Sequence, residues 1–410
     1  MPETRNIVFL GASYAGLGAS HYFLKHVYPQ LPQDPEISYK VLLVDPSSKH
    51  FLRTVSPRVV ANPELIPAEK ALLDIEPGFE QYGDAVKFVQ AKATSWDEQA
   101  RTVTLQYADG KEETIPYWAL VLATGSKTQS PVYSLQGSTH EEIVDALRST
   151  NAEIRKAKSI VLSGGGPASV ETAGEIGEAL NGTPGWFSSP RADPRVKITI
   201  ITSASKLLPA LRQQLSDQAE TYLRRLGVSV QYNTKIYSSS TATSTGKTTL
   251  TLHDGSEIET DLYLPATGVT PLSAYAPAHL KDSKGYIIQN QGTLRVDAAG
   301  PRVYALGDVG TCSDNSIFAI LNSVPVFGTN IRRDLLAMHS NPEGKPEGED
   351  RKFVPSGKEM QIVPVGRSKG VGAVFGWRVP SWVVWLVKGR DYMMGRARVN
   401  VDGSQWAKES

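Results

Sequence analysis

Two short glycine-rich stretches carry the residue types that bind phosphate groups. In the first, Gly11, Ser13 and Gly16 occupy the three glycine positions of a G-x-G-x-x-G loop, directly after the apolar run 7–10. Such a loop between a buried strand and a helix points backbone N–H groups and the positive end of the helix dipole at a pyrophosphate. Ser13 is small enough to let the backbone approach the phosphates. One loop alone is a weak signal, because glycine-rich turns are common in α/β proteins.

The same arrangement recurs in the second half of the chain. Gly164 and Gly166 follow the apolar run 159–163, and Ser169 takes the third glycine position. After each loop come a second strand, an Asp-Gly hairpin and a strand that ends in Ala-Thr-Gly. The first Ala-Thr-Gly sequence consists of Ala123, Thr124 and Gly125, and the second consists of residues 266–268. This internal repeat predicts two dinucleotide-binding domains.

Two carboxylates follow predicted strands. Asp45 ends the second strand, 40–44, where a Rossmann unit holds the ribose hydroxyls of an adenosine. Its distance from Gly11 exceeds the usual ~20 residues, and the insertion 29–35 accounts for the difference. The alternative is an ordinary turn residue. A later predicted strand ends in Gly307 and Asp308. The carboxylate of Asp308 can accept a hydrogen bond from a sugar-alcohol hydroxyl.

Composition excludes several classes of function. The chain has 410 residues and a net charge of +1, so no global electrostatic attraction to nucleic acid is expected. Cys312 is the only cysteine, which excludes an internal disulfide and a two-thiol relay. The polar start of the chain leaves no room for a signal peptide, and no run reaches the ~20 apolar residues of a membrane span. We therefore expect a cytoplasmic location.

These patterns predict an α/β fold with two Rossmann-like dinucleotide-binding domains and a small α+β C-terminal region. The expected boundaries are residues 1–125 with 256–335 for the first domain, 126–255 for the second, and 336–410 for the C-terminal region.

The combined order of these motifs resembles the pyridine nucleotide–disulfide reductase superfamily, with its glutathione-reductase-like two-domain flavoprotein fold. Residues 164–175, G-G-G-P-A-S-V-E-T-A-G-E, are similar to the apoptosis-inducing-factor-like branch. That branch includes the ferroptosis-suppressor type and is related to the type II NADH dehydrogenases. Residues 365–370 and 388–392 also resemble the C-terminal segment of the ferroptosis-suppressor group.

The resemblance implies FAD and either NADPH or NADH as cofactors, and no metal site. The residues it assigns to FAD are Gly11, Ser13, Ala15 and Gly16 at the pyrophosphate, Asp45 at the ribose, Ala93 at the adenine, Arg58 near the flavin, Asp308 at the ribityl chain, and Gly307, Ala123, Thr124 and Gly125 beside them. Those it assigns to NAD(P)H are Gly164, Gly166 and Ser169. It places Glu171 near the nicotinamide and flavin N5, which makes this residue the candidate catalytic group.

The choice between NADH and NADPH is left open by the sequence. The predicted strand 196–201 ends in Thr202, without the acidic residue that holds an NADH ribose and repels a 2′-phosphate. Because no acidic residue is present there, and because Lys206 and Arg195 are expected nearby, the site can also bind NADPH.

The resemblance and the single cysteine favour an oxidoreductase that takes hydride from NAD(P)H to flavin N5. The electrons then pass to a small acceptor, a quinone or oxygen, without a cysteine relay. One alternative is a biosynthetic flavin oxidase or dehydrogenase, whose site the insertions 29–35 and 181–194 would shape. Another is a non-enzymatic redox-sensing flavoprotein of the apoptosis-inducing-factor type.

A tryptophan-rich stretch near the C-terminus has two interpretations. Residues 377–387 contain three tryptophans, with Arg378, Lys388 and Arg390 as basic flanks. They can form an interfacial helix that gives residues 377–390 a peripheral membrane contact and access to a lipid-soluble quinone. The alternative is a helix packed on the flavin domain or on the partner of a homodimer.

Overall fold

The computed structural model describes residues 2–135, 137, 139–183, 193–313, 316–340 and 348–409. Residues 184–192 of the predicted insertion and residues 341–347 of the predicted C-terminal region lie outside this description.

The strands of the described residues are, in chain order, β1 (Glu3–Leu10), β2 (Ile37–Asp45), β3 (Lys49–Phe51), β4 (Leu72–Asp74), β5 (Val86–Gln90), β6 (Lys92–Asp97), β7 (Thr102–Gln106), β8 (Glu112–Pro116), β9 (Ala119–Leu122), β10 (Ser126–Thr128), β11 (Ser159–Ser163), β12 (Lys197–Ile201), β13 (Val228–Gln231), β14 (Ile236–Thr241), β15 (Thr248–Leu252), β16 (Glu257–Thr260), β17 (Leu262–Pro265), β18 (Val269–Pro271), β19 (Val303–Ala305), β20 (Gln361–Val365), β21 (Lys369–Val374) and β22 (Trp377–Arg378). The α-helices are α1 (Tyr14–Tyr22), α2 (Ser56–Ala61), α3 (His140–Lys156), α4 (Pro167–Asn181), α5 (Gln213–Arg225), α6 (Ile317–Ser340), α7 (Ser381–Val384) and α8 (Arg398–Val401).

The first parallel sheet has the strand order β19-β9-β1-β2-β5. The C-terminal half of β1 and the whole of β9 are apolar and buried, as expected for strands that are covered on both faces. Leu10 of β1 pairs with Val44 of β2 and with Leu122 of β9. The first glycine loop, Asp45 and the first Ala-Thr-Gly sequence therefore meet at the carboxyl edge of this sheet.

The second parallel sheet has the order β13-β12-β11-β17 and repeats that plan. Ser163 of β11 pairs with Ile201 of β12 and with Pro265 of β17, so the second glycine loop and the second Ala-Thr-Gly sequence also meet at one edge. Both Asp-Gly hairpins form, as β7–β8 and β15–β16. The predicted α/β class with two dinucleotide-binding units is confirmed, whereas the exact domain boundaries stay a prediction.

The C-terminal region forms the antiparallel sheet β20-β21-β22 and packs against α4. A Cβ on Gly174 of α4 would lie 2.7 Å from the backbone nitrogen of Gly366, so the helix and the turn after β20 are in close contact. Val363 and Val365 share one hydrophobic core with the second sheet. The region is therefore built onto the helix that follows the second glycine loop.

The prediction of one helix over residues 377–387 is wrong. Trp377 and Arg378 form β22, and α7 begins only at Ser381. A π-helical turn, Trp385–Gly389, continues α7. Pro380 explains the break, because proline has no N–H to donate and fits only at the start of a helix.

Candidate functional site

A cleft of about 380 Å³ opens at the carboxyl edge of the first sheet. Many of the residues assigned to FAD from the sequence line it together. They are Gly11, Ser13, Ala15, Asp45, Ala93, Ala123, Thr124, Gly125 and Asp308. Sequence reasoning did not assign Tyr14, Phe51, Arg53, Lys127 and Tyr275 to this cleft, which they also line.

The first glycine loop packs too tightly for side chains at two positions. Gly11 has φ +101°, and a Cβ there would lie 2.3 Å from the carbonyl oxygen of Ala123. A Cβ on Gly16 would lie 1.7 Å from the carbonyl oxygen of Gly11. Helix α1 starts directly after this turn, with the N–H of Leu17 donating to the carbonyl oxygen of Ser13 at 2.8 Å. This loop fits a pyrophosphate, because it lines the cleft at the point where helix α1 begins.

Asp45 presents a half-buried carboxylate to the cleft. Its Oδ2 accepts a hydrogen bond from Ala12 N–H at 2.7 Å, and its Oδ1 accepts one from Ser47 N–H at 2.9 Å. Burial raises the pKa of Asp45 to about 6, although both backbone bonds favour the ionised form. A ribose whose hydroxyls donate to this carboxylate would offset part of the cost of burying its charge. The residue therefore fits the ribose role predicted from the sequence.

We expect FAD affinity to depend on the ionisation of Asp45. Ribose hydroxyls donate to the carboxylate, so FAD binds the ionised form. Since the pKa of Asp45 without FAD is about 6, affinity should be constant above that pH and fall roughly tenfold per pH unit below it. Asp45→Asn should lower affinity about 10–100-fold at neutral pH and remove this dependence. Flavin fluorescence during reconstitution of the apoprotein measures both quantities.

Asp109→Asn is the matched control, because the carboxylate of Asp109 accepts from Lys111 N–H in an exposed hairpin turn and does not line the cleft. The ribose assignment of Asp45 is wrong if Asp45→Asn and Asp109→Asn bind FAD equally well.

The other end of the cleft carries a polar cluster around Asp308. Its carboxylate accepts hydrogen bonds from Ser313 Oγ at 2.8 Å and Ser126 Oγ at 3.3 Å, and Arg53 Nη1 lies 3.4 Å away. Arg53 also donates to the carbonyl oxygen of Ser126 at 3.2 Å. A sugar-alcohol chain along this wall would meet both an acceptor and a cation. The prediction for Asp308 fits this geometry, and Gly307, at φ +69°, makes the turn before it.

The second glycine loop lies outside the lining of this cleft, at the edge of the second sheet. Gly164 has φ +102°, and a Cβ there would lie 2.9 Å from the carbonyl oxygen of Ala266. Ser169 is fully buried, and its hydroxyl donates to the carbonyl oxygen of Ser163 at 3.0 Å. Ser169 therefore closes the loop against the strand, and the backbone from Gly164 to Gly166 is what can face a second dinucleotide. Its assignment to NAD(P)H stays a prediction.

Arg58, assigned to the flavin from the sequence, does not line the cleft, and that assignment stays a prediction. It lies outside the cleft lining, on α2, in a buried two-point ion pair with Glu175 of α4, with N···O distances of 2.7 and 3.0 Å. The guanidinium also donates to the carbonyl oxygens of Gly389 and Arg390, each at 2.9 Å, and stacks on Tyr392. It thus ties α2, α4 and the C-terminal region together.

Glu171 is also buried and also faces the C-terminal region. Lys388 Nζ lies 2.5 Å from its Oε1. Burial raises the pKa of Glu171, while the positive charge of Lys388 opposes that shift. Lys388 therefore points inward and does not flank the tryptophan-rich stretch as a free cation, contrary to the sequence interpretation. Glu171 lies outside the cleft lining, and its catalytic role stays a prediction.

Cys312 packs against the hydrophobic core of the first sheet and lies outside the cleft. Burial raises the pKa of its thiol, which disfavours the reactive thiolate.

An exposed apolar surface lies on the C-terminal region. We call it the C-terminal apolar face; it consists of Phe375, Trp377, Trp382, Trp385, Leu386 and Val387. Trp377 and Trp382 are 80% and 67% exposed, respectively. Within the described ranges, no helix combines the length and the apolar character needed to cross a membrane.

The fold and the site together define a class of protein. Two parallel sheets, each with a glycine loop at its carboxyl edge, and a cleft that fits FAD form a two-dinucleotide flavoprotein fold. Residues 5–325 match the pyridine nucleotide-disulphide oxidoreductase family, and the chain belongs to that family.

The relatives agree with this placement. The chain is 43% identical to "Oxidoreductase phnG" of Penicillium herquei over 413 residues, which covers 99% of this chain and 98% of that protein. It is 24% identical to ferroptosis suppressor protein 1 of Xenopus tropicalis over 406 residues, 96% of this chain and 95% of that protein. The resemblance inferred from residues 164–175 is confirmed.

A solved structure shares the whole fold. The sulfide:quinone oxidoreductase of Aquifex aeolicus has a TM-score of 0.70 at 14% identity, covering 98% of this chain and 93% of that one. At this identity the likeness concerns the fold.

Proposed function

We propose that this protein is an FAD-dependent NAD(P)H oxidoreductase that passes electrons to a quinone-like acceptor without a thiol relay. The observation that carries the proposal is the cleft of the first sheet, whose walls bring together Asp45, Asp308 and the first glycine loop. The only cysteine of the chain lies outside this cleft, so the walls provide no thiol to accept electrons.

FAD, when bound, supplies the hydride chemistry of this reaction. The residues of the chain would bind and orient the FAD. Asp45 would accept from the ribose, the loop after β1 would hold the pyrophosphate, and Asp308 with Arg53 would bind the sugar-alcohol chain. The loop after β11 offers the second dinucleotide a helix N-terminus of the same kind. The ion pairs of Arg58 and Glu171 with their partners hold α4 and the C-terminal region in a fixed position.

The C-terminal apolar face favours the proposal that the acceptor is lipid-soluble. Aromatic side chains that stay exposed to water are costly unless they meet a partner or a lipid surface. Tryptophan in particular prefers the boundary between water and lipid. A quinone dissolved in a bilayer would be delivered at such a surface. One protein of the same fold is named for a quinone acceptor, which is consistent with this reading.

Anaerobic stopped-flow mixing tests the acceptor. The protein, first bleached with one equivalent of NADPH or NADH, is mixed with a short-chain quinone or with oxygen. The proposal expects the flavin absorbance to return much faster with the quinone than with oxygen. A flavin that stays bleached for minutes with every acceptor would favour the redox-sensing alternative and contradict the proposal.

We expect the C-terminal apolar face to bind lipid vesicles. Replacing Trp377 and Trp382 together by serine should weaken vesicle binding at least about tenfold, because two large apolar side chains no longer enter the interface. Tyr237→Ser is the matched control, since Tyr237 is 80% exposed on β14, away from this face. Sedimentation with phosphatidylcholine vesicles measures the binding. Equal sedimentation of all three proteins would show that this face does not meet lipid.

A further inference from the structure

The two glycine loops of this chain are held by the same backbone contact. In the first loop, the N–H of Gly11 donates to the carbonyl oxygen of Val44 at 2.7 Å. In the second loop, the N–H of Gly164 donates to the carbonyl oxygen of Ile201 at 2.8 Å. The residue that follows each acceptor therefore occupies the same place relative to its loop, and the first half of the chain serves as an internal reference for the second.

These equivalent residues are Asp45 and Thr202. The carboxylate of Asp45 accepts from Ala12 N–H at 2.7 Å. Thr202 is buried, and its hydroxyl lies 2.9 Å from the point that a Cβ on Gly165 would occupy. The same hydroxyl accepts from the N–H of Ala204 at 3.2 Å. A short neutral side chain thus stands where the first half places a carboxylate.

This difference bears on which nicotinamide dinucleotide the second loop can hold. In a Rossmann unit, an acidic residue at this strand end bonds the 2′-hydroxyl of the adenosine ribose, and its charge repels the 2′-phosphate of NADPH. With Thr202 the repulsion is absent, and so is the bond that favours NADH.

The segment after Thr202 supplies the groups that a phosphate needs. Ser203 and Ser205 are exposed, and Lys206 is half-buried. The N–H of Leu208 donates to the carbonyl oxygen of Gly165 at 2.6 Å, so the segment crosses the second glycine loop. The backbone carbonyl oxygen of Lys206 lies 3.4 Å from the point that a Cβ on Gly165 would occupy, so Lys206 is next to the loop, and its ammonium donates to the carbonyl oxygen of Leu211. Two hydroxyls and one cation therefore border the expected position of the ribose.

Two other charged residues, Glu359 and Arg195, bear on the charge of this segment. Glu359 acts electrostatically on Lys206, but its carboxylate accepts from Arg212 Nε at 2.7 Å, so Arg212 neutralises it. Arg195, expected from the sequence to lie near the coenzyme, precedes β12 and sits at its opposite end, about 20 Å away along the strand. Of Lys206 and Arg195, Lys206 is thus the cation that the fold places next to the loop.

We infer that Ser203, Ser205 and Lys206 form a 2′-phosphate site and that the second loop selects NADPH over NADH. The inference rests on the proposed function, in which a nicotinamide dinucleotide binds at this loop.

Calorimetric titration of the FAD-loaded protein with NADP⁺ and NAD⁺ tests the site by binding alone. NADP⁺ should bind at least about tenfold tighter, the effect of one charge-assisted hydrogen bond. Lys206→Ala should remove most of this preference by weakening NADP⁺ and leaving NAD⁺ unchanged. Ser203→Asp, at an exposed position, should weaken NADP⁺ by a similar factor through repulsion. Lys197→Ala is the matched control, because Lys197 is an exposed lysine at the far end of the same strand.

The inference is overturned if NAD⁺ binds as tightly as NADP⁺, or if Lys206→Ala and Lys197→Ala behave alike. These outcomes are separate from failure of the proposed function. A protein that binds NADP⁺ selectively, while its flavin is not bleached by NADPH, would retain the site and lose the proposed reaction.

Discussion

Replacing Gly11 by alanine is expected to abolish FAD binding. Gly11 has φ +101°, which L side chains rarely adopt, and the added Cβ would lie 2.3 Å from the carbonyl oxygen of Ala123. Backbone rather than a flexible side chain blocks it, so the loop and the end of β9 must separate. That movement displaces the N–H groups that face the pyrophosphate. The flavin-to-protein ratio of the purified variant, read from its absorbance, should be close to zero.

Gly110→Ala separates this steric effect from the general cost of a positive φ. Gly110 has φ +83° in the β7–β8 hairpin, and no atom lies within 4 Å of an added Cβ. This variant should keep its full flavin content, and circular dichroism should show that both variants retain their secondary structure. A Gly11→Ala protein with full flavin content would show that the first loop does not hold the cofactor.

Removing the Arg58 guanidinium is expected to produce the largest loss of stability. Arg58 and Glu175 are 3% and 0% exposed, so Arg58→Ala leaves a buried carboxylate without its cation. Breaking a buried pair in this way costs about 3–5 kcal/mol. The carbonyl oxygens of Gly389 and Arg390 lose a donor at the same time, which loosens the C-terminal region. Urea denaturation followed by circular dichroism measures the free energy of unfolding.

Two further variants test whether the loss of stability in Arg58→Ala comes from the buried ion pair. Arg148→Ala removes the cation of an exposed pair with Glu69 and should cost at most about 1 kcal/mol. Arg58→Met combined with Glu175→Leu should recover much of the lost stability, because no charge is left buried. If Arg58→Ala is no less stable than Arg148→Ala, the buried pair does not hold the C-terminal region in place.

The parts of the site that the sequence predicts are those determined by local chain geometry. In each loop a strand, a tight turn and a helix follow one another within a few residues. The sequence around Gly11 and Gly164 therefore predicts these two loops directly. Asp45 and Asp308 follow strands of the same parallel sheet, and parallel strands end at one edge. These residues could be placed together without knowledge of the fold.

The ion pairs of the C-terminal region could not be predicted in this way. Arg58 and Glu175 are 117 residues apart, and Glu171 and Lys388 are 217 residues apart. Which cation meets which carboxylate depends on how the C-terminal sheet packs on α4, and no local pattern encodes that packing. For the same reason Lys388 was expected at the surface and lies inward.

The most direct test of this account is the visible spectrum of the purified protein under anaerobic conditions. The account predicts a yellow protein with the absorbance bands of oxidised FAD, which are bleached by stoichiometric NADPH and restored by a short-chain quinone. A colourless protein that takes up no FAD on reconstitution, or a flavin that neither NADPH nor NADH bleaches, would contradict it.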